Sequence, residues 1–597
     1  MDRREGALKA IQEAVELYQQ LAVGRPGTFN PDVAKSLNSL SNRLAAVGHQ
    51  EEAVEASEEA VKLYRDLTAD QPAVFSPDLA LSLNNLSNHL AEVGQQERAF
   101  QAIQEAVELY RQLDNPTVRP DLARSLSNLS NHLSAMNLHE NAFAVIKEAV
   151  DLYRRLAADN PAEFKLDLAK SLNNLSGHLS RVSRQNNALW TIREAVKLLR
   201  ELATDRPAAF APDLAKSLSN LSVSLSEAGH HEAALQEIQE AVELRRRLAA
   251  DRPVVSNPDL AKSLSTLSKC LSEVGRREDA CKAIREAVGL YRHLVETRPA
   301  TFNPDLAKSL SVHSKCLSNL SHGARALEVI PEGGQREDAL EAIREAVNLY
   351  RQLAAHRPPL FTPDLARSLS IFSDRLSEMD YEESALDAIQ EAVELYQTLA
   401  VDQPAAFNPD LALALNTFSV RLSEAGRRDD AFWAIQEAVE LYRWLAKDRP
   451  ALFESDLARS LTNFSIYLSE VDRPQHALEA IREAVGIRRR LAADRPAIYN
   501  PDLALSLTHL SEHLSAMGRR EDTLKTIQEA VALYRLLATD DPSAFIPNLI
   551  KSLTNLCASL SQLTRPQDAH NAIMEALDLR RRLTVHRNIP SSLGGSH

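Results

Sequence analysis

The sequence predicts an all-α fold, a solenoid of stacked antiparallel helix pairs with about 12 repeats and about 25 helices. Three observations carry this expectation. The phrase "NPDLAKSLS" stands at 257–265 and again at 303–311, with close relatives beginning at Asn30, Asn408 and Asn500. Its acidic residue falls at Asp32, Asp78, Asp121, Asp167, Asp213, Asp259, Asp305, Asp364, Asp410, Asp456 and Asp502, with Asn548 in the twelfth place; the spacing is 46 except for one of 43 and one of 59. A period held over a whole chain is written by a stack of like units, because such a stack lengthens without needing a larger central core. Finally, Leu and Ala dominate while aromatics are only 5%, which favours helix over strand.

Each unit reads as two helices. In the second, Ser76 is placed as N-cap, Pro77 as first helical residue, and Asp78 at the positive end of the helix dipole. Leu79, Leu83, Leu86, Leu90 and Val93 then recur at helical spacing, and Gly94 stops the helix. After the turn "QQE", a second helix carries Ala99, Ile103, Ala106, Val107, Leu109, Tyr110 and Leu113. A "DRP" or "DQP", such as Asp205-Arg206-Pro207, ends it, and a short loop with an aromatic such as Phe210 leads to the next unit. First helices are therefore expected to start near 31, 77, 120, 166, 212, 258, 304, 363, 409, 455, 501 and 547. Neither helix buries its apolar stripe alone, so pairs must stack.

Composition excludes several classes. A net charge of −14 argues against a general nucleic-acid binder, whose footprint is a basic excess. Four cysteines, Cys270, Cys281, Cys316 and Cys557, are too few and too unevenly placed for a disulfide framework and read as reduced thiols of an intracellular, cytoplasmic protein. The opening "MDRREGALKAIQEAV" has no apolar core of a signal peptide, and no run of about 18 apolar residues offers a membrane span.

The unit resembles the tetratricopeptide repeat (TPR). In the second unit the pattern is met by Leu83, Leu86-Ser87, Leu90, Gly94, Ala99, Ile103 and Ala106. The small site is Ser in eleven units (Ser41, Ser87, Ser130, Ser176, Ser222, Ser268, Ser314, Ser373, Ser419, Ser465, Ser511) and Cys557 in the last, which lets the two helices approach closely. The usual first-position Trp is Leu, and the period is about 12 residues longer than the standard 34. In that respect the chain is similar to the long repeats of kinesin light chains and to the arrays attached to NB-ARC-type signalling ATPases. The resemblance implies a right-handed superhelix.

One solenoid is expected over 1–587, followed by a disordered tail at 588–597. Residues 5–24 match a lone second helix, so the chain is either part of a longer polypeptide or presents this helix to a partner or another copy, as a monomer or within a larger assembly. The spacing of 59 places an insert near 319–331, at a turn between two helices.

No phosphate-binding loop, HExxH, paired CxxC or GxSxG is present, so no enzyme activity, catalytic residue, cofactor or metal is expected. His89, His132 and His178 share one site in consecutive units and read as stacked surface histidines, too far apart for one metal. Cys270 and Cys316 are equivalent in neighbouring units, beyond disulfide reach by the same spacing.

The resemblance further implies that first helices line a peptide-binding groove through their second, fifth, sixth and ninth positions. The second holds Lys35, Leu81, Arg124, Lys170, Lys216, Lys262, Lys308, Arg367, Leu413, Arg459, Leu505 and Lys551, of which nine are basic. The fifth is small and polar throughout: Asn38, Asn84, Ser127, Asn173, Ser219, Ser265, Ser311, Ser370, Asn416, Thr462, Thr508 and Thr554. The ninth drifts: Asn42, Asn88, Asn131, Gly177, Val223, Lys269, Lys315, Asp374, Val420, Ile466, Glu512 and Ala558. Cations beside amides and hydroxyls suit an extended acidic peptide, with specificity at the ninth position and an apolar pocket at Val420 and Ile466. A second reading stands beside it: each cation lies three residues after the helix-opening acid, as in Asp305–Lys308, and forms only a local ion pair. Two functions follow: a non-enzymatic scaffold binding protein or peptide segments, or the sensor array of a larger signalling ATPase or protease whose catalytic domain lies outside this chain.

Overall fold

The computed structural model describes residues 2–113, 115–182, 184–251, 253–327 and 333–587. The chain divides into two compact units, Met1–Arg276 and Arg277–His597. The first holds α1 (Asp2–Gly24), α2 (Pro26–Val47), α3 (Gln50–Asp70), α4 (Pro72–Glu92), α5 (Gln96–Leu113), α6 (Arg119–Ala135), α7 (His139–Asp159), α8 (Pro161–Arg181), α9 (Gln185–Asp205), α10 (Pro207–Glu227), α11 (His231–Asp251) and α12 (Pro253–Glu273). The second holds α13 (Arg277–Thr297), α14 (Pro299–Leu327), α15 (Gly333–His356), α16 (Pro358–Glu378), α17 (Glu382–Asp402), α18 (Pro404–Glu424), α19 (Arg428–Asp448), α20 (Pro450–Glu470), α21 (Pro474–Asp494), α22 (Pro496–Ala516), α23 (Arg520–Asp540), α24 (Pro542–Gln562) and α25 (Pro566–Arg587). No strand occurs among the described residues. Within each unit every helix packs on the next in sequence, so the stack of consecutive pairs expected from the period is what forms.

The helix starts differ from expectation. Except for α6, each first helix begins five residues early: α4 at Pro72 rather than near 77, α8 at Pro161 rather than near 166. The proline read only as a terminator is also the first residue of the next helix. A single residue, Gln71, separates α3 from α4 and serves both. Its N–H donates to the Leu67 carbonyl at 2.9 Å, and its own carbonyl accepts from Val74 and Phe75. Ser76 is therefore no N-cap; its hydroxyl lies inside the helix and donates to the Pro72 carbonyl at 2.6 Å. Pro77 sits in the second turn, where its missing N–H leaves the carbonyl of exposed Ala73 to water. Helix α6 starts at Arg119, close to expectation, because the spacing of 43 leaves only a 3-10 turn, Pro116–Val118, before it.

The other ends behave as read. Gly94 adopts φ 84° at the end of α4; its N–H reaches the Ala91 carbonyl, and that of Gln95 reaches Leu90 at 2.9 Å, which satisfies the last carbonyls. The same left-handed site is filled by Asn137, Asp380, Asp472 and Thr564 in other repeats. Thr564, at φ 55°, is β-branched and strained there. Thr564→Gly should therefore stabilise the α24–α25 hairpin by about 1 kcal/mol, read as slower amide exchange in those helices; unchanged exchange would contradict the strain.

The small serines are buried, among them Ser41, Ser87, Ser222 and Ser465. Two hydroxyls cross the hairpin, from Ser176 to the Ala188 carbonyl at 3.0 Å and from Ser373 to that of Ala385 at 2.7 Å. Around them Ala, Leu, Ile and Val pack into cores that run along each stack. Successive second helices are tied by ion pairs that were not anticipated from the sequence. In the first unit Arg65–Glu105, Arg111–Glu148, Arg154–Glu194 and Arg200–Glu240 meet at 2.7–2.8 Å. In the second, Arg351–Glu391, Arg443–Glu483, Arg489–Glu529 and Arg535–Glu575 meet at 2.5–2.6 Å.

The insert expected at 319–331 starts as helix: α14 has 29 residues against 21 in α10. Residues 328–331 of it, and the tail at 588–597, lie outside the described residues.

Candidate peptide-binding face

The second-position side chains form an exposed column on the first helices of each unit: Lys35, Leu81, Arg124, Lys170, Lys216 and Lys262 in the first, and Lys308, Arg367, Leu413, Arg459, Leu505 and Lys551 in the second. A cation there projects outward because the buried stripe, Ala34 and Leu37 around Lys35, turns it away from the core. Several are already engaged. Arg124 pairs with Asp121 at 3.0 Å, Arg459 with Asp456 at 2.5 Å, and Arg367 with Asp364 at 3.6 Å, the local pair three residues apart. Lys170 reaches forward to Asp213 of the next repeat at 3.4 Å, and Lys551 reaches back to Glu512 at 3.3 Å. Burial raises the Asp78 carboxyl above its ordinary range, against the opposing pull of Lys35. Among the described residues, Lys216 and Lys262 in the first unit, and Lys308 in the second, are exposed and make no such pair.

The fifth position has a different role from the one expected. Asn84, Asn173, Asn416, Thr462 and Thr508 are buried, and Asn38, Ser127, Ser219, Ser265, Ser311 and Ser370 half-buried. Most of them bond the next first helix, while Ser265 and Ser370 bond a carbonyl of their own helix. Asn38 Nδ2 donates to Ser82 Oγ. Asn84 Oδ1 accepts from Ser125 and Asn128, both at 3.1 Å, and Asn173 Oδ1 from Ser217 and Asn220. Asn416 Oδ1 accepts from Asn463 at 3.2 Å. Hydroxyl pairs do the same at Ser127–Ser171, Ser219–Ser263, Thr462–Ser506 and Thr508–Ser552. The column is polar because buried serines on the neighbouring helix need partners. Alanine there would take one partner from those serines, although Ser82 also bonds the Asp78 carbonyl and Ser506 accepts from Arg488.

The ninth position is accessible. Asn42, Asn131, Gly177, Val223, Lys269 and Lys315 are exposed, and Asn88, Val420 and Ile466 half-buried. Asn42 spends its amide on the Asn38 carbonyl at 3.0 Å, and Lys269 lies 3.7 Å from Glu273.

A family model for the tetratricopeptide repeat matches residues 33–70, 79–113 and 214–252. Three stretches of the chain therefore match the tetratricopeptide repeat. A second family model, for anaphase-promoting complex subunit 5, matches residues 259–298 and 329–357. No curated protein matches the chain in sequence. Among solved structures it is similar to BtubC (BKLC) from P. vanneervenii, at 17% identity and TM-score 0.36 over 44% of this chain and 97% of that one. It is also similar to a putative kinesin light chain from Podosopora anserina with nearly identical TPR-like repeats, at 14% identity and TM-score 0.31 over 37% of this chain and 98% of that one. MamA matches at 12% and TM-score 0.24 over 33% of this chain and 92% of that one.

The histidines of the array are not on the surface as expected. His89, His132 and His178 are buried in the first unit, and burial pulls each imidazole below its ordinary pKa, that of His178 to about 4 with help from Arg181 and His139. Among the described residues no cluster of three or more His, Cys, Asp or Glu is placed to hold a metal, and no helix is long and apolar enough to cross a membrane. The four cysteines are free thiols. Cys316 of α14 meets Cys281 of α13, a contact between neighbouring helices that the repeat register alone did not indicate.

Proposed function

We propose that the protein is a non-enzymatic interaction scaffold whose first-helix face holds an extended acidic peptide segment. The observation that supports this most directly is the pair Lys216 and Lys262, exposed ammonium groups with no ion pair among the described residues, in a chain of net charge −14. Lys170 extends the row by one repeat. Successive first helices lie about 8–10 Å apart, so the three lysines suit carboxylates spread over about six residues of extended chain. With the fifth-position amides committed to the scaffold, charge supplies the attraction, and the exposed ninth position, Asn131, Gly177 and Val223, supplies discrimination. The buried thiols Cys270, Cys281 and Cys316 suit a reducing cytoplasm.

Immobilised Glu/Asp-rich peptides should retain the full chain at about 50 mM salt and release it at about 500 mM. Lys216→Ala with Lys262→Ala should weaken retention about fivefold, the size of two exposed ion pairs. Equal retention by the variant would end this reading.

A further inference from the structure

Tryptophan is ordinarily among the most buried side chains on average, yet the three in this chain, Trp190, Trp433 and Trp444, are 63%, 65% and 54% exposed. None serves as a core residue. Trp433 and Trp444 lie on one helix, α19, eleven residues apart. Eleven residues are three turns and about 20°, so both indoles stand on the same face, about 16 Å apart along the axis. The corresponding sites in the flanking second helices hold Asp387 and Thr398 on α17, and Glu479 and Arg490 on α21, so the pair of indoles belongs to this repeat.

The surface between the indoles is acidic. Glu437 and Glu440 lie between them, Asp429 and Asp448 lie beyond them, Lys447 shares that face, and Arg443 and Arg473 line a pocket at its edge with Glu440. Glu440 accepts a hydrogen bond from Gln436 at 3.1 Å. Glu437 differs from its counterparts. Glu391 and Glu483, at the same site in α17 and α21, are each held by an arginine of the preceding repeat, Arg351 and Arg443. The residue that would reach Glu437 is Gln397, and the ion pair is missing. Burial and the nearby Glu440 push the Glu437 carboxyl above its ordinary range, as expected for an acid without a cation. The face thus combines two exposed π surfaces with two carboxylates that make no ion pair among the described residues.

We propose that this face of α19 is a second docking surface, distinct from the first-helix face, for an extended basic segment whose cationic side chains rest on Trp433 and Trp444 and against Glu437 and Glu440 between them. A cation over an indole and a cation beside a carboxylate are both favourable, and both disfavour phosphate polymers and anionic lipid. The helical rise fixes the spacing. At about 3.3 Å per extended residue, five residues span the two indoles, and long cationic side chains at i, i+2, i+3 and i+5 turn from both sides of the segment onto the indoles and the carboxylates. This surface does not depend on the lysine column, and the charge of its guest is opposite.

The test titrates the full chain with the decapeptide GSRSKKSRSG, read by tryptophan fluorescence and by calorimetry, with GSESDDSESG as control. The basic peptide should bind and the acidic one should leave the signal of α19 unchanged. Trp433→Ala with Trp444→Ala should weaken binding about tenfold, or about 1.4 kcal/mol, while Trp190→Ala should not. Gln397→Arg restores the missing partner of Glu437 without touching an indole, and should weaken binding while leaving the helix content unchanged. Absence of binding to the basic peptide, equal binding by the double variant, or an unaltered affinity of Gln397→Arg would each overturn the proposal. So would concentration-dependent self-association that the double variant abolishes, since the face would then belong to a second copy of the chain.

Discussion

Lowering the pH from about 7.5 to 5 should destabilise helix α8 by about 2 kcal/mol through His178 alone. Its imidazole is 2% exposed, and neither ring nitrogen has a hydrogen-bond partner in the protein. The folded-state pKa is about 4 against an ordinary 6.5. Between these values the unfolded chain binds more protons than the folded one, so stability rises with pH. The contribution is complete above about 6.5 and is lost as the pH falls towards 4. His89 and His132, shifted in the same direction by burial, add to the effect in α4 and α6. A solenoid opens repeat by repeat, so the measurement is local. Amide exchange in α8, corrected for its intrinsic pH dependence, should accelerate at pH 5 in the native chain and much less in His178→Tyr. Tyrosine is a reasonable replacement because Tyr467 fills the same site in α20, its hydroxyl bonded to the Ser419 carbonyl at 3.1 Å. Equal acceleration in both chains would remove the histidine from the account.

The fold was legible because a period of 46 residues states the same packing solution again and again, and each restatement corrects for local ambiguity. The stop at Gly94, the close approach at Ser87 and the buried face of Leu83, Leu86 and Leu90 all follow from local chemistry. The helix starts were not legible. Two prolines five residues apart, Pro72 and Pro77, both suit a first turn, and the sequence does not say that one residue suffices to end one helix and begin another. The histidines were misplaced for a similar reason: polarity suggested the surface, but the tenth position is buried in several repeats with quite different residues, as Cys270 and Tyr467 also show, while Arg43 in the first repeat is exposed.

The site was half legible. The basic column is exposed where the helical register puts it, but its electrostatic state depends on which acid each long side chain reaches. Lys170 finds Asp213 on the next first helix, while Lys216, in the same "DLAKSL" stretch, finds none among the described residues. The uniform polarity of the fifth position suggested a ligand, and in most repeats it also serves the neighbouring helix. Asn84 is constrained by Ser125, forty-one residues away, a pairing that becomes visible only once the repeats are stacked. A site that varies is the better sign of recognition in a repeat protein, and Trp433, Trp444 and Gln397 depart from the pattern together.

Replacing Arg488 with tyrosine should stabilise the second unit by about 2 kcal/mol, and replacing it with alanine should cost about as much. In most repeats this site is tyrosine, as at Tyr442 and Tyr534. Arg488 is only 4% exposed, and burial lowers its guanidinium pKa while Asp502 opposes the shift. Its Nη1 donates to the Asp502 carbonyl at 2.9 Å and to Ser506 Oγ. Both acceptors are neutral, so the cation is desolvated for hydrogen bonds that a tyrosine repeat does without. Tyrosine fills the same space, and its hydroxyl reaches a backbone carbonyl in related repeats, as Tyr110 does to Pro77 at 3.5 Å. The Asp502 carbonyl keeps its place in the helical ladder of α22, so nothing is orphaned by the exchange. Alanine removes the charge as well but leaves a void between α21 and α22, and the lost packing outweighs the relief. Amide exchange in α21 and α22 should slow in Arg488→Tyr and accelerate in Arg488→Ala. If both variants were destabilised alike, the guanidinium would be a net stabilising element and the desolvation argument would fail.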